Sequence, residues 1–244
     1  MSRLPAGAEV FADAEAASVA AAERFVVACA AGGERIAVAF SGGSTPRRFY
    51  GLLAAPAYRD RVPWSRVHAF WGDERVVPAG SSDSNQGMTR ATLLDHVPIP
   101  PGNLHPIPTD GAPADCAARY EAALTRWYGA DALDPARPLF DLMLLGTGPD
   151  GHTASLFPGK PEIEARGPWA VAVPEPGLPP PVPRVSLTFE ALSSCRTMLF
   201  LATGENKRDP IARIAAGEAL PAGRVGALGE TVWLLDRAAA GATA

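Results

Sequence analysis

Little in this sequence favours a disulfide framework, a zinc site or a membrane span. Among its 244 residues are only three cysteines, Cys29, Cys116 and Cys195. They are odd in number and far apart, without the CxxC or Cys/His clustering that zinc sites use, so they read as buried thiols in a reducing compartment. No stretch approaches the roughly 18 consecutive apolar residues of a membrane helix. Glu9, Asp13, Glu15 and Glu23 fall where a signal peptide needs an apolar run, so a cytoplasmic location is expected. Lysine is also scarce: of 22 basic residues only Lys160 and Lys207 are lysines. The net charge of −4 provides no overall attraction for nucleic acid or an anionic membrane, and neither is expected as a partner. A phosphorylated ligand must therefore be held by locally placed cations.

What is present is enough apolar content, 47%, to bury a sizeable core, and residues 1–244 are expected to form a single domain. Short apolar or β-branched runs at 36–41, 67–72, 140–146, 169–173, 185–189, 198–203 and 231–236 read as strands buried on both faces. Helical stretches at 13–31, 46–54, 84–94, 113–128 and 207–216 lie between them, several with polar caps or acidic first turns. This alternation predicts an α/β fold, an open, mostly parallel Rossmann-like sheet with helices on both faces. The segment 174–184 carries six prolines and reads as a stiff surface loop rather than an interdomain linker.

Ligands of parallel α/β sheets bind beyond the carboxyl ends of the strands, and three of those ends are unusual here. The first runs into Ser41-Gly42-Gly43-Ser44-Thr45 before Pro46 opens a helix. Glycines permit close backbone approach, hydroxyls donate, and the helix start offers free N–H groups, which together make a phosphate site. No Gly-Lys-Ser/Thr follows, so it is not a Walker loop, and Ser44 lacks the frame of a nucleophile elbow. The second end is followed by Asp73, Glu74 and Arg75, where an arginine can clamp a phosphate or carboxylate or simply form an exposed ion pair with Asp73.

The third end holds Gly146-x-Gly148-x-x-Gly151, which matches a dinucleotide fingerprint. Pro158, Gly159 and Pro161 interrupt the long crossover helix such a site needs, so a nicotinamide cofactor is disfavoured. The same glycines place Asp150 and His152 on a tight turn, where a carboxylate-oriented imidazole suits general base work. His68, His96 and His105 lie in a strand or in proline-rich surroundings and read as structural. Lys207 follows a further strand near a helix start, where its ammonium can complete a phosphate site or remain solvated.

Taken in order, SGGSTP, GDER, GPDGHTASLFPG, PRVSLTF and GENK resemble the landmarks of the 6-phosphogluconolactonases across nearly the whole chain. The resemblance extends to Asp83-Ser84-Asn85, to Gly102-Asn103-Leu104-His105 and to the closing VWLLDRAAA. It implies hydrolysis of a sugar-phosphate lactone by water that His152 activates and Asp150 helps to orient, with neither metal nor cofactor. It also implies an anionic substrate held along Ser41, Gly42, Gly43, Ser44 and Thr45 and by Asp73, Arg75 and Lys207, with Arg184 ranked below these cations. A monomer or weak homodimer is expected. The related glucosamine-6-phosphate isomerases (deaminases) share the phosphate loop and a DGH segment, but they carry an Asp-Glu-Tyr type segment in place of Gly72–Arg75 and an acidic residue soon after DGH. Ala154, Ser155, Leu156 and Phe157 supply none. A non-catalytic sugar-phosphate sensor is the reading from outside the enzymes, and no DNA-binding segment accompanies it.

Overall fold

The computed structural model describes residues 4–78 and 80–242. Its strands are β1 (Ala8–Phe11), β2 (Ile36–Phe40), β3 (Val67–Trp71), β4 (Asp73–Arg75), β5 (Phe140–Leu145), β6 (Ala170–Val173), β7 (Arg184–Leu187), β8 (Cys195–Ala202) and β9 (Glu230–Asp236). The helices are α1 (Ala14–Ala31), α2 (Ser44–Ala54), α3 (Pro56–Arg59), α4 (Asn85–Thr92), α5 (Pro113–Tyr128), α6 (Phe189–Ser193), α7 (Arg208–Ala215), α8 (Pro221–Arg224) and α9 (Arg237–Ala240). Helix boundaries follow local chemistry. Asp13 caps α1, its carboxylate accepting from the Ala16 amide at 2.8 Å. Gly129 closes α5 in the left-handed conformation at φ 77°.

Six strands form a parallel sheet in the order β1-β9-β8-β5-β2-β3. Residues 36–40 of β2 are all buried, as a central strand covered on both faces requires. Phe40 faces α1, whose Phe25 meets its ring at 6.3 Å, and its register partner Trp71 packs against it at 6.2 Å and donates from Nε1 to Thr89 of α4 at 3.3 Å. Phe70, one residue from Trp71, faces the other side and meets Trp127 of α5 at 5.2 Å. Helices therefore cover both faces, as the sequence predicts. From β2 the chain steps outward to β3 on one side and returns through β5 on the other. The reversal leaves a crevice between the carboxyl ends of β2 and β5, the position where such sheets take ligands.

The sequence reading is corrected in one respect that matters for the site. The runs at 169–173 and 185–189 do not join the parallel sheet. They form β6 and β7, which pair antiparallel with each other and with β4 in a separate sheet of order β4-β7-β6. Helix α5 packs across β6 and β7, so these strands are buried on a local scale much as central strands are, and the apolar pattern is the same. Phe189, read as strand, opens α6. Strands β1 (AEVF) and β4 (DER) carry no continuous apolar run, which hides them in the sequence. The proline-rich stretch is the surface connection between β6 and β7, and Arg184 at its end begins β7.

Candidate active site

The loop after β2 turns sharply at Gly43, which has φ 107° and precedes α2. The helix starts at Ser44, two residues before the expected Pro46. No side chain caps it, so its first-turn amides remain available to a ligand. Tyr50, fully buried on α2, reaches back to the loop: its hydroxyl donates to the Ser41 carbonyl at 2.8 Å and accepts from the Ser41 amide at 3.0 Å. The Thr45 hydroxyl lies 3.4 Å from that of Thr203, at the end of β8.

Beyond β5, the Gly148 amide donates to the His152 carbonyl at 2.9 Å and closes a turn. The imidazole lies directly over Gly148: a Cβ there would stand 2.0 Å from His152 Nδ1, so no other residue fits without displacing the ring. His152 Nδ1 is 2.6 Å from Asp150 Oδ1, which also accepts from the His152 amide at 3.1 Å. An ionised carboxylate only accepts, so in the neutral imidazole the proton sits on Nδ1 and Nε2 carries the lone pair. Burial raises the Asp150 carboxyl, but the hydrogen bonds and charge of His152 outweigh it and hold the group below its ordinary 3.8. Ala154, two residues on, adopts φ 48°, a left-handed conformation uncommon outside glycine.

The small sheet forms the facing wall. Arg75 and Arg184 are directly opposed register partners on β4 and β7. Like charges so placed repel, and neither guanidinium forms an ion pair among the described residues. Arg75 Nη1 donates to the Asp83 carbonyl at 2.6 Å and Arg184 Nη2 to the Leu178 carbonyl at 2.8 Å. The Nε of each is buried without a partner. Burial, set against the pull of Asp73, lowers the Arg184 guanidinium below its ordinary value. An arrangement with two opposed cations and spare donors is one that a bound anion would relieve. Asp73 is buried, its Oδ2 accepting from Ser155 Oγ at 2.6 Å and its Oδ1 from Asn85 Nδ2 at 3.2 Å.

These parts enclose one cavity of about 350 Å³. Ser41, Gly42, Gly43, Ser44, Thr45, Asp73, Arg75, His152, Arg184 and Lys207 all line it. Asp150 stands behind His152 instead. Burial, opposed by Asp150, lowers the Lys207 ammonium below its ordinary 10.5. Asp73 is the one carboxylate on the lining among the described residues, and no acidic side chain follows the His152 turn. Asn85, Thr203, Leu178 and Pro179 also line the cavity. No sequence signal marks these four; Asn85 belongs to the Asp83-Ser84-Asn85 motif, but nothing local shows it as facing a ligand. His68, His96 and His105 lie outside the cavity, and among the described residues no three His, Cys, Asp or Glu side chains are grouped to hold a metal.

The model of the family described as glucosamine-6-phosphate isomerases/6-phosphogluconolactonase matches residues 11–233. The chain belongs to this family. Its curated relatives include the 6-phosphogluconolactonase of Synechocystis sp., 41% identical over 207 residues, which are 83% of this chain and 82% of that one. The crystal structure of 6-phosphogluconolactonase from Thermotoga maritima superposes with a TM-score of 0.80 at 30% identity, covering 94% of this chain and 98% of that one. A monomeric glucosamine-6-phosphate deaminase reaches the same TM-score of 0.80 over 96% and 98% of the two chains, at 18% identity, which shows the shared fold alone.

Proposed function

We propose that this enzyme hydrolyses 6-phospho-D-glucono-1,5-lactone to 6-phosphogluconate, the lactonase step of the oxidative pentose phosphate pathway, using water activated by His152. The observation that carries the mechanism is the His152 imidazole, tied through Nδ1 to Asp150 and lining a cavity that also holds three cations which form no ion pair among the described residues. The phosphate is held by the open start of α2, the hydroxyls of Ser44 and Thr45, and the cations Lys207, Arg184 and Arg75. Anchoring this remote group fixes the lactone carbonyl over the His152 turn. His152 Nε2 takes a proton from water as the water oxygen bonds to C1, and the carbonyl electrons move to its oxygen. The tetrahedral intermediate collapses by breaking the C1–ring oxygen bond, and the departing oxygen receives the proton from the imidazolium. The new carboxylic acid then releases its proton to solvent. Asp150 remains ionised throughout and stabilises the imidazolium.

A lactone is already activated toward water, so one base and modest oxyanion stabilisation are enough. The deaminase reaction moves a carbon-bound proton and needs further acids and bases, whereas Asp73 is engaged by Ser155 and Asn85. The three buried free thiols fit a reducing, cytoplasmic setting.

Acid release from fresh 6-phosphogluconolactone, followed with a pH indicator, tests the reading, with ammonia release from glucosamine 6-phosphate as the matched control. No acceleration over spontaneous hydrolysis would overturn it. His152→Ala should lower kcat at least about a hundredfold while 6-phosphogluconate still binds. Near-normal turnover in that variant would remove His152 from its role.

A further inference from the structure

Asn85 is the first residue of α4 and one of the most deeply buried polar side chains, with 2% of its surface exposed, yet it lines the cavity. Two contacts fix its amide. Nδ2 donates to the Asp73 carbonyl at 3.0 Å and to Asp73 Oδ1 at 3.2 Å. Both partners are acceptors, so the opposite amide orientation would set oxygen against oxygen; Nδ2 must face Asp73 and Oδ1 must face away from it. Oδ1 then lies against the phosphate loop: a Cβ on Gly42 would stand 1.8 Å from it. Among the described residues no donor reaches this oxygen. A carbonyl oxygen in this position repels phosphate oxygens and attracts O–H donors. The start of α4 is itself closed to anions, since Glu74 already accepts from the amides of Asn85 and Gln86 at 2.8 and 2.7 Å.

We infer that Asn85 Oδ1 accepts a hydrogen bond from a ring hydroxyl of the substrate, so that Asn85 sets specificity for a hydroxylated sugar phosphate. This rests on the sugar-phosphate reading of the cavity, not on the hydrolytic step. The glycine at 42 leaves room for the amide, Asp73, itself held by Ser155, fixes it from the other side, and the loop beside it carries the phosphate. One side of the loop thus reads charge and the other reads a hydroxyl.

The test is a double-mutant cycle between Asn85→Ala and removal of single hydroxyls. The probe is 1,5-anhydroglucitol 6-phosphate, an unreactive pyranose that keeps the phosphate and the hydroxyls at C2, C3 and C4, together with its three mono-deoxy derivatives. Affinities are measured by calorimetry. The wild type should lose about tenfold for one derivative, the scale of one hydrogen bond, and Asn85→Ala should lose less than about twofold for the same compound. Equal losses in both proteins at all three positions would overturn the assignment, as would a wild type indifferent to all three hydroxyls. A merely structural role weakens every probe alike and leaves the ratios unchanged. Asn85→Ser, which keeps a small polar side chain, serves the same cycle if the alanine variant does not fold. A coupled hydroxyl in a protein that does not hydrolyse the lactone would retain the Asn85 site and refute the lactonase reading; hydrolysis without coupling would do the reverse.

Discussion

Two cationic side chains of the cavity, Lys207 and Arg184, are tuned by what surrounds them. Lys207 is partly buried, which disfavours its charge, and the Asp150 carboxylate restores only part of that loss. A lowered ammonium becomes neutral at lower pH than an ordinary lysine, so affinity for the phosphate should be lost on the alkaline side, starting below pH 10.5. Calorimetric titration of 6-phosphogluconate between pH 7 and the ordinary lysine range would read this. An affinity that stays flat across that range and is unchanged in Lys207→Ala would place the phosphate elsewhere. Arg184 lines the same cavity as Arg75 and Lys207, stands opposite Arg75 in register, and holds its guanidinium 5.2 Å from the ring centroid of Phe157. The same ring lies 4.6 Å from that of His152, so Phe157 contacts both His152 and Arg184.

Two elements hold the frame in place through buried polar groups. Glu74 is fully buried on β4 and accepts from the amides of Arg75, Asn85 and Gln86 and from Ser84 Oγ, joining the small sheet to the start of α4. Burial raises its carboxyl against the pull of those bonds. Glu74→Gln removes the charge that faces the helix dipole and puts an NH2 group among donors. It should destabilise the fold by about 2–4 kcal/mol in denaturant unfolding. A change under about 0.5 kcal/mol would mean the capping bonds contribute little. On β3, His68 Nδ1 lies 3.0 Å from His105 Nε2, beside Trp127 and Arg35. Burial, and then the charges of His105 and Arg35, lower His68 from 6.5 to about 4. His105 shifts the same way. Between these values the unfolded chain binds more protons, so stability should fall as pH drops from about 6.5 towards about 4. His68→Gln should flatten the melting temperature over that window, and an unaltered slope would exclude the pair as its source.

At the scale of the molecule, the large and small sheets share the cavity and α5 packs against both, so we propose that residues 1–244 fold as one cooperative unit. Circular dichroism and fluorescence should report a single coincident unfolding transition. Two separated transitions would refute this. At about 100 times its Kd, 6-phosphogluconate should stabilise the chain by about 2.7 kcal/mol, or roughly 5–10 °C for a domain of this size. Among the described residues the large exposed apolar side chains are Val10, Val19, Val27 and Leu228. On α1, Glu23 lies between Val19 and Val27 and is paired to Arg61 at 2.7 Å, which interrupts any continuous sticky face. We propose a monomer or at most a weak homodimer, as the sequence predicts, so sedimentation at micromolar concentration should show no stable dimer.

By itself the sequence determined the chemistry of the strand ends. The Ser41–Thr45 loop, the Asp150–His152 pair and Lys207 each lie within a few residues of a strand, so glycine, hydroxyl and imidazole spacing announces them locally. Strand type was equally legible wherever a run was long and apolar. Only the tertiary structure decided that β6 and β7 leave the parallel sheet, that β4 pairs with β7, and hence that Arg75 stands opposite Arg184 with Asp73 held by Ser155 and Asn85. Apolar alternation is blind to the partner a strand takes. Pairing between segments so far apart in the chain is settled by which arrangement buries the most surface and leaves the fewest polar groups unpaired, a property of the whole fold rather than of any stretch of it.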